Sequence, residues 1–212
     1  MNTLLQGVYD GVLLGDPAAV KARVQQAIVA GLPVQEILDS MSRSMEKVGS
    51  LFQEGEYFIP EMLVAARAMQ DGMRILQPQL LTSDVRSAGV VVIGTVKGDL
   101  HEIGKNIVSM LLEGAGFEVV DLGIDISPEK FIQAIGQHRP SILAMSALLT
   151  TTMSTMGTTI QALHGAGLRD RVKIMIGGAP VTEAYAEQIG ADGYARDAPQ
   201  AVTLAKALLA RS

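Results

Sequence analysis

The spacing of hydrophobic residues changes near the middle of the chain. Up to about residue 80, apolar side chains recur every three or four positions, as in helices that bury one face. One such stretch starts at Leu32-Pro33, and Gly55 ends it or follows directly after it. The apolar face of that stretch is formed by Val34, Ile37, Leu38, Met41, Met45, Val48 and Phe52. This pattern predicts a long amphipathic helix.

Two further helices of the first half have recognisable starts. Asp16-Pro17 combines an N-cap residue with proline at the first helical position. Another helix is predicted from Ile59-Pro60 to about Leu76. Together with the segment before Asp16, these stretches predict four helices joined by short loops, a small bundle at residues 1–81.

From Gly89 onwards, short β-branched and aliphatic runs alternate with helical stretches. Apolar runs without alternation are typical of strands buried on both faces, as in a parallel sheet covered by helices. After a polar linker at 82–88, we therefore predict a five-stranded, doubly wound α/β domain at 89–212, of the flavodoxin-like or Rossmann-like type. The predicted strands are 89–95, 117–123, 141–146, 172–178 and 191–195, and the predicted helices are 102–115, 127–138, 152–167, 181–189 and 198–210.

Composition narrows the possible functions. The chain has 212 residues, 48% of them hydrophobic and 18% charged, which is typical of a globular protein. The net charge of -5 disfavours binding to nucleic acid or to anionic membranes. With no cysteine, the chain has no disulfide, thiolate zinc site or iron–sulfur cluster. We find no signal peptide and no apolar run long enough to span a membrane, so a cytoplasmic location is expected.

The loop after the first strand of the α/β domain combines charged residues with glycines, in the sequence VKGDLHEIGKN (96–106). In doubly wound folds, ligands bind where strands end and the strand order reverses. The loop does not match a Walker phosphate loop, because five residues separate its glycines and Asn106 follows the lysine. It also lacks the second histidine of a zinc protease, since position 105 is lysine, and the paired glycines of a dinucleotide loop.

A metal ligand with a supporting carboxylate is one interpretation of this loop. Asp99 and His101 are two positions apart, so an extended loop directs both side chains to the same side. A metal-bound imidazole commonly donates its other N–H to such a carboxylate. Gly104 removes a Cβ at the start of the next helix, which gives a bulky group access to the backbone. The alternative interpretation is that both residues only cap that helix.

Small and hydroxyl residues follow two other strands. Ser146 ends the third strand, Thr150-Thr151-Thr152 comes shortly after it, and Gly177-Gly178 ends the fourth strand. Since parallel strands end at the same edge of a sheet, these residues predict a slot lined by hydroxyl groups beside His101. Ordinary turn chemistry and helix N-caps are the alternative explanation of the same residues.

These residues resemble a known family, the cobalamin-binding domains. GTVKGDLHEIGKNIV (94–108) contains the D-x-H-x-x-G motif, here Asp99, His101 and Gly104. Ser146-Ala147-Leu148 and Gly177-Gly178 resemble the S-x-L and G-G elements of that family. LFQEGEYFIPE (51–61) is similar to the helical cap of cobalamin-dependent methionine synthase and of the small corrinoid proteins of methanogens and acetogens. The likeness covers nearly the whole chain.

The resemblance implies that the chain binds cobalamin or a related corrinoid, present as methylcobalamin when loaded. In this family the lower base of the cofactor leaves the cobalt and the motif histidine replaces it, so His101 is the implied metal ligand. Asp99 would hydrogen-bond its imidazole, and the Thr152 hydroxyl would stand where methionine synthase has serine. The resemblance also implies cofactor contacts from the loop, the slot and the fifth strand, at Gly98, Leu100, Glu102, Ile103, Gly104, Ser146, Leu148, Thr150, Gly177, Gly178, Tyr194 and Ala195.

In the helical half, the family places apolar side chains over the upper face of the cobalt. The matching residues are Phe52, Phe58, Ile59 and Met62, and plain bundle core is the alternative for each, favoured for Met62. The implied activity is that of a methyl carrier without autonomous catalysis. It would take a methyl group from a substrate-specific methyltransferase and deliver it to a second methyltransferase acting on tetrahydrofolate or a thiol. A reductive activator is the third implied partner.

Two other classes of protein share this type of domain. Adenosylcobalamin mutases contain the same motif, but they pair it with a barrel for which this sequence has no counterpart. A cobalamin-dependent sensor module is the second alternative, although the chain has no basic DNA-binding helix. A phosphoacceptor receiver domain needs an aspartate at the end of the third strand, where this chain has Met145-Ser146.

Overall fold

The computed structural model describes residues 2–80 and 88–210, which group into two compact units, one helical and one built on a sheet. Apart from Ala88, the linker predicted at 82–88 lies outside the described residues. None of the described helices is both long enough and apolar enough to cross a membrane.

In the described part of the first unit, the chain forms four helices: α1 (Thr3–Leu13), α2 (Pro17–Val29), α3 (Val34–Gln53) and α4 (Ile59–Leu80). As predicted, the Asp16 carboxylate caps α2, accepting hydrogen bonds of 3.0 Å from the N–H groups of Ala18 and Ala19. The predicted end of α4 at Leu76 is wrong, since the helix continues to Leu80 with Pro78 inside it. A proline in the last turn removes only one backbone donor, and the helix here tolerates that loss.

The buried face of α3 contains polar as well as apolar residues. Ile37, Met41, Met45 and Val48 are buried as the hydrophobic spacing predicts. Two serines on the same helix are also buried, and their hydroxyls donate to backbone carbonyls of α1. Ser40 bonds to Leu5 at 2.7 Å and Ser44 bonds to Tyr9 at 2.8 Å. Because both hydroxyls are satisfied, the small serines join α3 to α1 without an unpaired buried group.

The second unit contains a parallel sheet of five strands among the described residues: β1 (Val90–Thr95), β2 (Glu118–Asp121), β3 (Ile142–Ser146), β4 (Lys173–Gly177) and β5 (Gly193–Ala195). The strand order is β2-β1-β3-β4-β5. This confirms the predicted doubly wound fold. The order reverses at β1, which lies between β2 and β3, so the loops that follow β1 and β3 are neighbours at the carboxyl edge.

Helices cover both faces of the sheet. They are α5 (Ile103–Gly114), α6 (Pro128–His138), α7 (Thr150–Gly165), α8 (Glu183–Ile189) and α9 (Ala198–Ala210), with bounds within two residues of those predicted. A 3-10 helix at Arg169–Arg171 was not predicted.

Two glycines identify which helix covers which face. A Cβ on Gly94 would lie 3.0 Å from the Phe131 ring of α6, whereas one on Gly193 would lie 2.7 Å from Leu204 of α9. Right-handed crossovers place α5 on the face opposite α6, which is the face of α9.

Candidate functional site

The loop between β1 and α5 forms a tight turn at the point where the strand order reverses. The Asp99 N–H donates to the Val96 carbonyl at 3.1 Å, and Gly98 adopts a φ of 86°, which a glycine accommodates without strain. The Thr95 hydroxyl donates to the carbonyl of His101 at 2.9 Å. The loop backbone is therefore fixed at both ends, and it holds Asp99 and His101 in one orientation.

The carboxylate of Asp99 is fully buried and accepts five hydrogen bonds. One oxygen, Oδ1, accepts from the backbone N–H of His101 at 3.1 Å and lies 2.7 Å from its Nδ1. The other, Oδ2, accepts from the N–H groups of Leu148 at 2.7 Å and Leu149 at 3.3 Å, and from the Thr152 hydroxyl at 2.7 Å. Asp99 thus joins the loop after β1 to the loop after β3.

These donors keep Asp99 ionised. Burial by itself raises the pKa of this carboxyl, but the hydrogen bonds from Leu148, Thr152 and His101 together outweigh burial and hold the pKa well below its usual range. The predicted contact between Asp99 and His101 is present. The alternative that the two residues only cap the following helix is not sufficient for Asp99, because its Oδ2 accepts from three donors at the start of α7.

An ionised Asp99 fixes the orientation and tautomer of the His101 ring. Because the carboxylate only accepts hydrogen bonds, the proton of a neutral imidazole belongs on Nδ1, and the lone pair is left on Nε2. The side chain of His101 is 50% exposed, so Nε2 is available at the sheet edge. A metal whose remaining ligands come with a macrocyclic cofactor needs only one such nitrogen from the protein, and this arrangement fits that requirement.

Exposed apolar side chains lie in or next to the loops that contain His101 and the donors to Asp99. In the described part of the second unit, the large hydrophobic residues that are exposed lie in the loops after β1 and β3 or at the first position of α5. They are Leu100 (67% exposed), Ile103 (78%), Leu148 (42%) and Leu149 (42%). Glu102 is also exposed, and a Cβ on Gly104 would meet no atom within 4 Å. This edge therefore offers an apolar surface to a large flat group, as the resemblance implies.

Small residues form one row across the end of the sheet. Thr95 is paired with Ser146, Ser146 with Gly177, and Gly177 with Ala195. Since side chains alternate along a strand and the preceding residue of β1 faces α6, this row lies on the face covered by α5 and α9. Ser146 and Gly177 of this row are among the residues from which the sequence predicts a slot.

The other residues predicted for the slot differ in how far they are exposed to solvent. Thr150 is exposed at the first position of α7, and Tyr194 lies within β5 and is partly buried. Gly177 and Gly178 have a structural reason of their own. A Cβ on Gly178, whose φ is 128°, would lie 1.9 Å from the Ala147 carbonyl oxygen, and one on Gly177 would lie 2.9 Å from that of Ala195. Close backbone packing alone excludes larger residues at both positions.

The four residues predicted to shield the cofactor lie in the helical unit. Phe58 is 64% exposed and Ile59 is 48% exposed, whereas Phe52 is half-buried. Met62 is only 2% exposed, which supports the bundle-core interpretation for this residue. Phe58 and Ile59, at the start of α4, are exposed and therefore available for contact with a ligand.

Several residues that support the site were missed by sequence reasoning. The Asp125 carboxylate accepts from the Gly98 N–H at 2.7 Å, and the Asp125 N–H donates to the Asp99 carbonyl at 3.1 Å. Lys105 is buried and pairs with Asp121 at the end of β2. The signal for both carboxylates was their position just after or at the end of a strand. The contacts of Leu148 and Leu149 use backbone N–H groups, which leave no mark in the sequence.

Comparison with protein families gives a match for each unit. A family described as "B12 binding domain" matches residues 89–203, and a second family with the same description matches residues 4–77. The two matches together cover most of the chain.

Similar proteins span nearly the whole chain. The "Dimethylamine corrinoid protein 3" of Methanosarcina acetivorans is 43% identical over 97% of this chain and 97% of its own length. The "Trimethylamine corrinoid protein 1" of the same organism is 44% identical, covering 87% of each chain. Among solved structures, the methanol:cobalamin methyltransferase complex from Methanosarcina barkeri contains a chain that is 30% identical, with a TM-score of 0.88, covering 100% of this chain and 81% of that chain.

Proposed function

Because this chain belongs to the B12 binding domain family and therefore binds a corrinoid, we propose that it carries a methyl group on that cofactor between two methyltransferases. The observation that supports this most strongly is the His101 imidazole, oriented by the buried Asp99 carboxylate and half-exposed among apolar side chains. Single imidazole ligation suits a metal that the protein must hold while other groups react with it.

We propose that His101 Nε2 is the protein ligand to the cobalt and that the lower base of the cofactor is displaced from it. Asp99 acts through His101 by holding the Nδ1 proton, which raises the basicity of the ligating nitrogen. Thr152 acts one step further away, since its hydroxyl lies 2.7 Å from Asp99 Oδ2. These three residues set how firmly the imidazole is held.

The displaced base and its nucleotide tail are proposed to occupy the slot beside the row of small residues. The row provides the Ser146 hydroxyl, and it lacks bulk at Gly177 and Ala195. Leu148, Thr150, Gly178 and Tyr194 are proposed to flank the slot. The loop after β1 and the first residues of α5 are proposed to contact the corrin ring, because Gly104 leaves the start of α5 open to solvent. The residues proposed for this contact are Gly98, Leu100, Glu102, Ile103 and Gly104.

When bound, the corrinoid supplies a cobalt centre that accepts and releases methyl groups. The protein supplies binding, orientation and exclusion of water. Phe58 and Ile59 are proposed to cover the upper face of the cofactor, and Phe52 to support them. Met62 is assigned to the bundle core instead. Displacement of such a cover would admit a partner's active site.

The partners are proposed from the relatives. Two relatives are named for dimethylamine and trimethylamine, and a structural neighbour is part of a methanol methyltransferase complex. The higher identity to the first two supports a methylated amine as donor, supplied by a substrate-specific methyltransferase. An acceptor methyltransferase, acting on tetrahydrofolate or a thiol, and a reductive activator complete the proposed system.

Transfer of an isotopically labelled methyl group tests this function. The reduced, corrinoid-loaded protein would be incubated without oxygen with labelled dimethylamine, trimethylamine or methanol, each together with a methyltransferase specific for that donor. We expect light-releasable label on the protein from an amine donor, much reduced in His101→Ala and unchanged in His138→Ala. Absence of label from every donor would contradict the proposed function, and label from methanol alone would contradict the donor class.

A further inference from the structure

Ser109 has a buried hydroxyl that is not explained by the packing of the unit. The residue is 8% exposed, and its Oγ has no hydrogen-bond partner in the part of the chain that the structure describes, where it is the one buried side-chain polar atom in that condition. A buried hydroxyl without a partner lowers stability, and native proteins rarely keep one. A ligand that bonds to Oγ would remove this penalty.

The hydroxyl lies on the side of α5 that faces the sheet. Ser109 is four residues after Lys105, whose ammonium pairs with Asp121 at the end of β2. Leu112, three residues further, is fully buried. Residues three and four apart share one face of a helix, so this face is directed at the strands. Ser109 lies six residues into α5, about 9 Å along the helix axis from its start.

The row of small residues lies across the carboxyl end of the strands, which is also where the loop from β1 leads into α5. That row (Thr95, Ser146, Gly177 and Ala195) lies on the sheet face that α5 covers. The small side chains on this face leave room for a flat group, and Ser109 lies on the side of α5 that is directed at the face.

We propose that Ser109 selects the lower base of the corrinoid, favouring a base whose buried edge forms hydrogen bonds, such as adenine, over dimethylbenzimidazole. This rests on the proposed function, which puts the displaced base in the slot. A hydroxyl both donates and accepts, and adenine offers an amino group and ring nitrogens. The corresponding edge of dimethylbenzimidazole carries two methyl groups and leaves Oγ unsatisfied. Sites that hydrogen-bond one ligand discriminate strongly against an analogue that lacks the matching group.

Competitive binding of two cobamides tests the assignment. The apo-protein would be titrated with cobalamin and with the cobamide that has adenine as lower base, and the ratio of the two Kd values would be measured. We expect the wild-type ratio to favour the adenine cobamide, and Ser109→Ala to reduce that preference about tenfold. The control is Ser154→Ala, since Ser154 is exposed on α7 and its hydroxyl bonds within the helix at 3.4 Å. This control should keep the wild-type ratio.

The outcomes separate this inference from the function on which it rests. If both cobamides bind with His101 on the cobalt but the Kd ratio is the same in wild type and Ser109→Ala, lower-base selection by Ser109 is wrong while the carrier function stands. If neither cobamide binds, both proposals are wrong. The apo form of Ser109→Ala should be at least as stable to urea as wild type, and a clear loss of stability would show that Oγ already has a partner within the protein, which also overturns the inference.

Discussion

At the residue scale, the position of Asp99 depends on the hydroxyl of Thr152. This hydroxyl lies 2.7 Å from Asp99 Oδ2 and 2.9 Å from the Leu149 carbonyl oxygen, and the residue is 7% exposed. A hydrogen bond to an ionised group contributes about 1.5–3 kcal/mol. The Thr152 methyl lies 3.6 Å from where a Cβ on Gly98 would be, which is an ordinary contact. The hydroxyl of Thr152, rather than its methyl group, therefore holds Asp99 in position.

We expect Thr152→Val to lower the free energy of unfolding of the apo-protein by about 1.5–3 kcal/mol, because the buried carboxylate loses a donor. Thr152→Ser keeps the hydroxyl and should cost less than about 1 kcal/mol, since only one methyl group is lost. Urea denaturation followed by circular dichroism measures both values. Equal stability of the two variants would show that the contact between Thr152 and Asp99 does not hold the loop.

At the element scale, the loop after β4 crosses directly over the loop after β3. Gly178 has a φ of 128°, and a Cβ there would lie 1.9 Å from the Ala147 carbonyl oxygen. We expect Gly178→Ala to destabilise the protein by about 3 kcal/mol or more, since the backbone strain and the clash act together. Chemical denaturation checks this value.

The matched control for that substitution is Gly136→Ala. Gly136 lies inside α6, is exposed, and a Cβ there would meet nothing within 4 Å. Alanine should stabilise this helix by about 0.5–1 kcal/mol. If the Gly178 variant lost no more than about 1 kcal/mol, the close crossing of the two loops would be wrong.

The elements themselves were largely predictable from the sequence. Hydrophobic spacing and capping residues act locally, so the helices and strands of the α/β unit and the helices of the bundle could be placed to within a few residues. The exceptions have physical reasons. Helix α4 passes its predicted end because Pro78 costs it a single hydrogen bond, and Ser40 and Ser44 interrupt the apolar pattern because α1 supplies acceptors for them.

The candidate site was predictable only where its contacts are made by side chains rather than by the backbone. The spacing of Asp99 and His101 indicated their contact, which the structure contains. Backbone donors from Leu148 and Leu149, and the support from Asp125, depend on loops that meet only after the sheet has formed. The glycines after β4 were predicted to leave room for a ligand, and the structure adds a packing reason that no sequence pattern reveals.

At the scale of the whole molecule, the proposed carrier needs two units with different tasks. In this proposal the second unit provides His101 as the ligand and the slot for the nucleotide tail, whereas the helical unit presents exposed apolar side chains at Phe58 and Ile59. Since the proposed cover would limit access to the reactive face, its loss should affect the loaded cofactor more than the fold. The division into residues 1–81 and 89–212 remains a prediction at its boundaries.

We expect Phe58→Ser to accelerate the light-induced spectral change of the methylcobalamin-loaded protein several-fold, with little effect on stability because Phe58 is 64% exposed. Val29→Ser is the matched control, since Val29 is 78% exposed on another helix of the same unit. Absorption spectra recorded during illumination give both rates. Identical rates in the two variants and wild type would argue against a covering role for Phe58.

The central claim is the bond between His101 and cobalt, and electron paramagnetic resonance of the cobalt(II) state measures it most directly. Protein labelled with 15N-histidine would be loaded with unlabelled cobalamin and reduced to cobalt(II). An axial histidine predicts that the nitrogen splitting changes from the triplets of unlabelled protein to doublets, and that the doublets disappear in His101→Ala. Triplets that persist in the labelled protein would show that the lower base still ligates the cobalt, and would contradict the account.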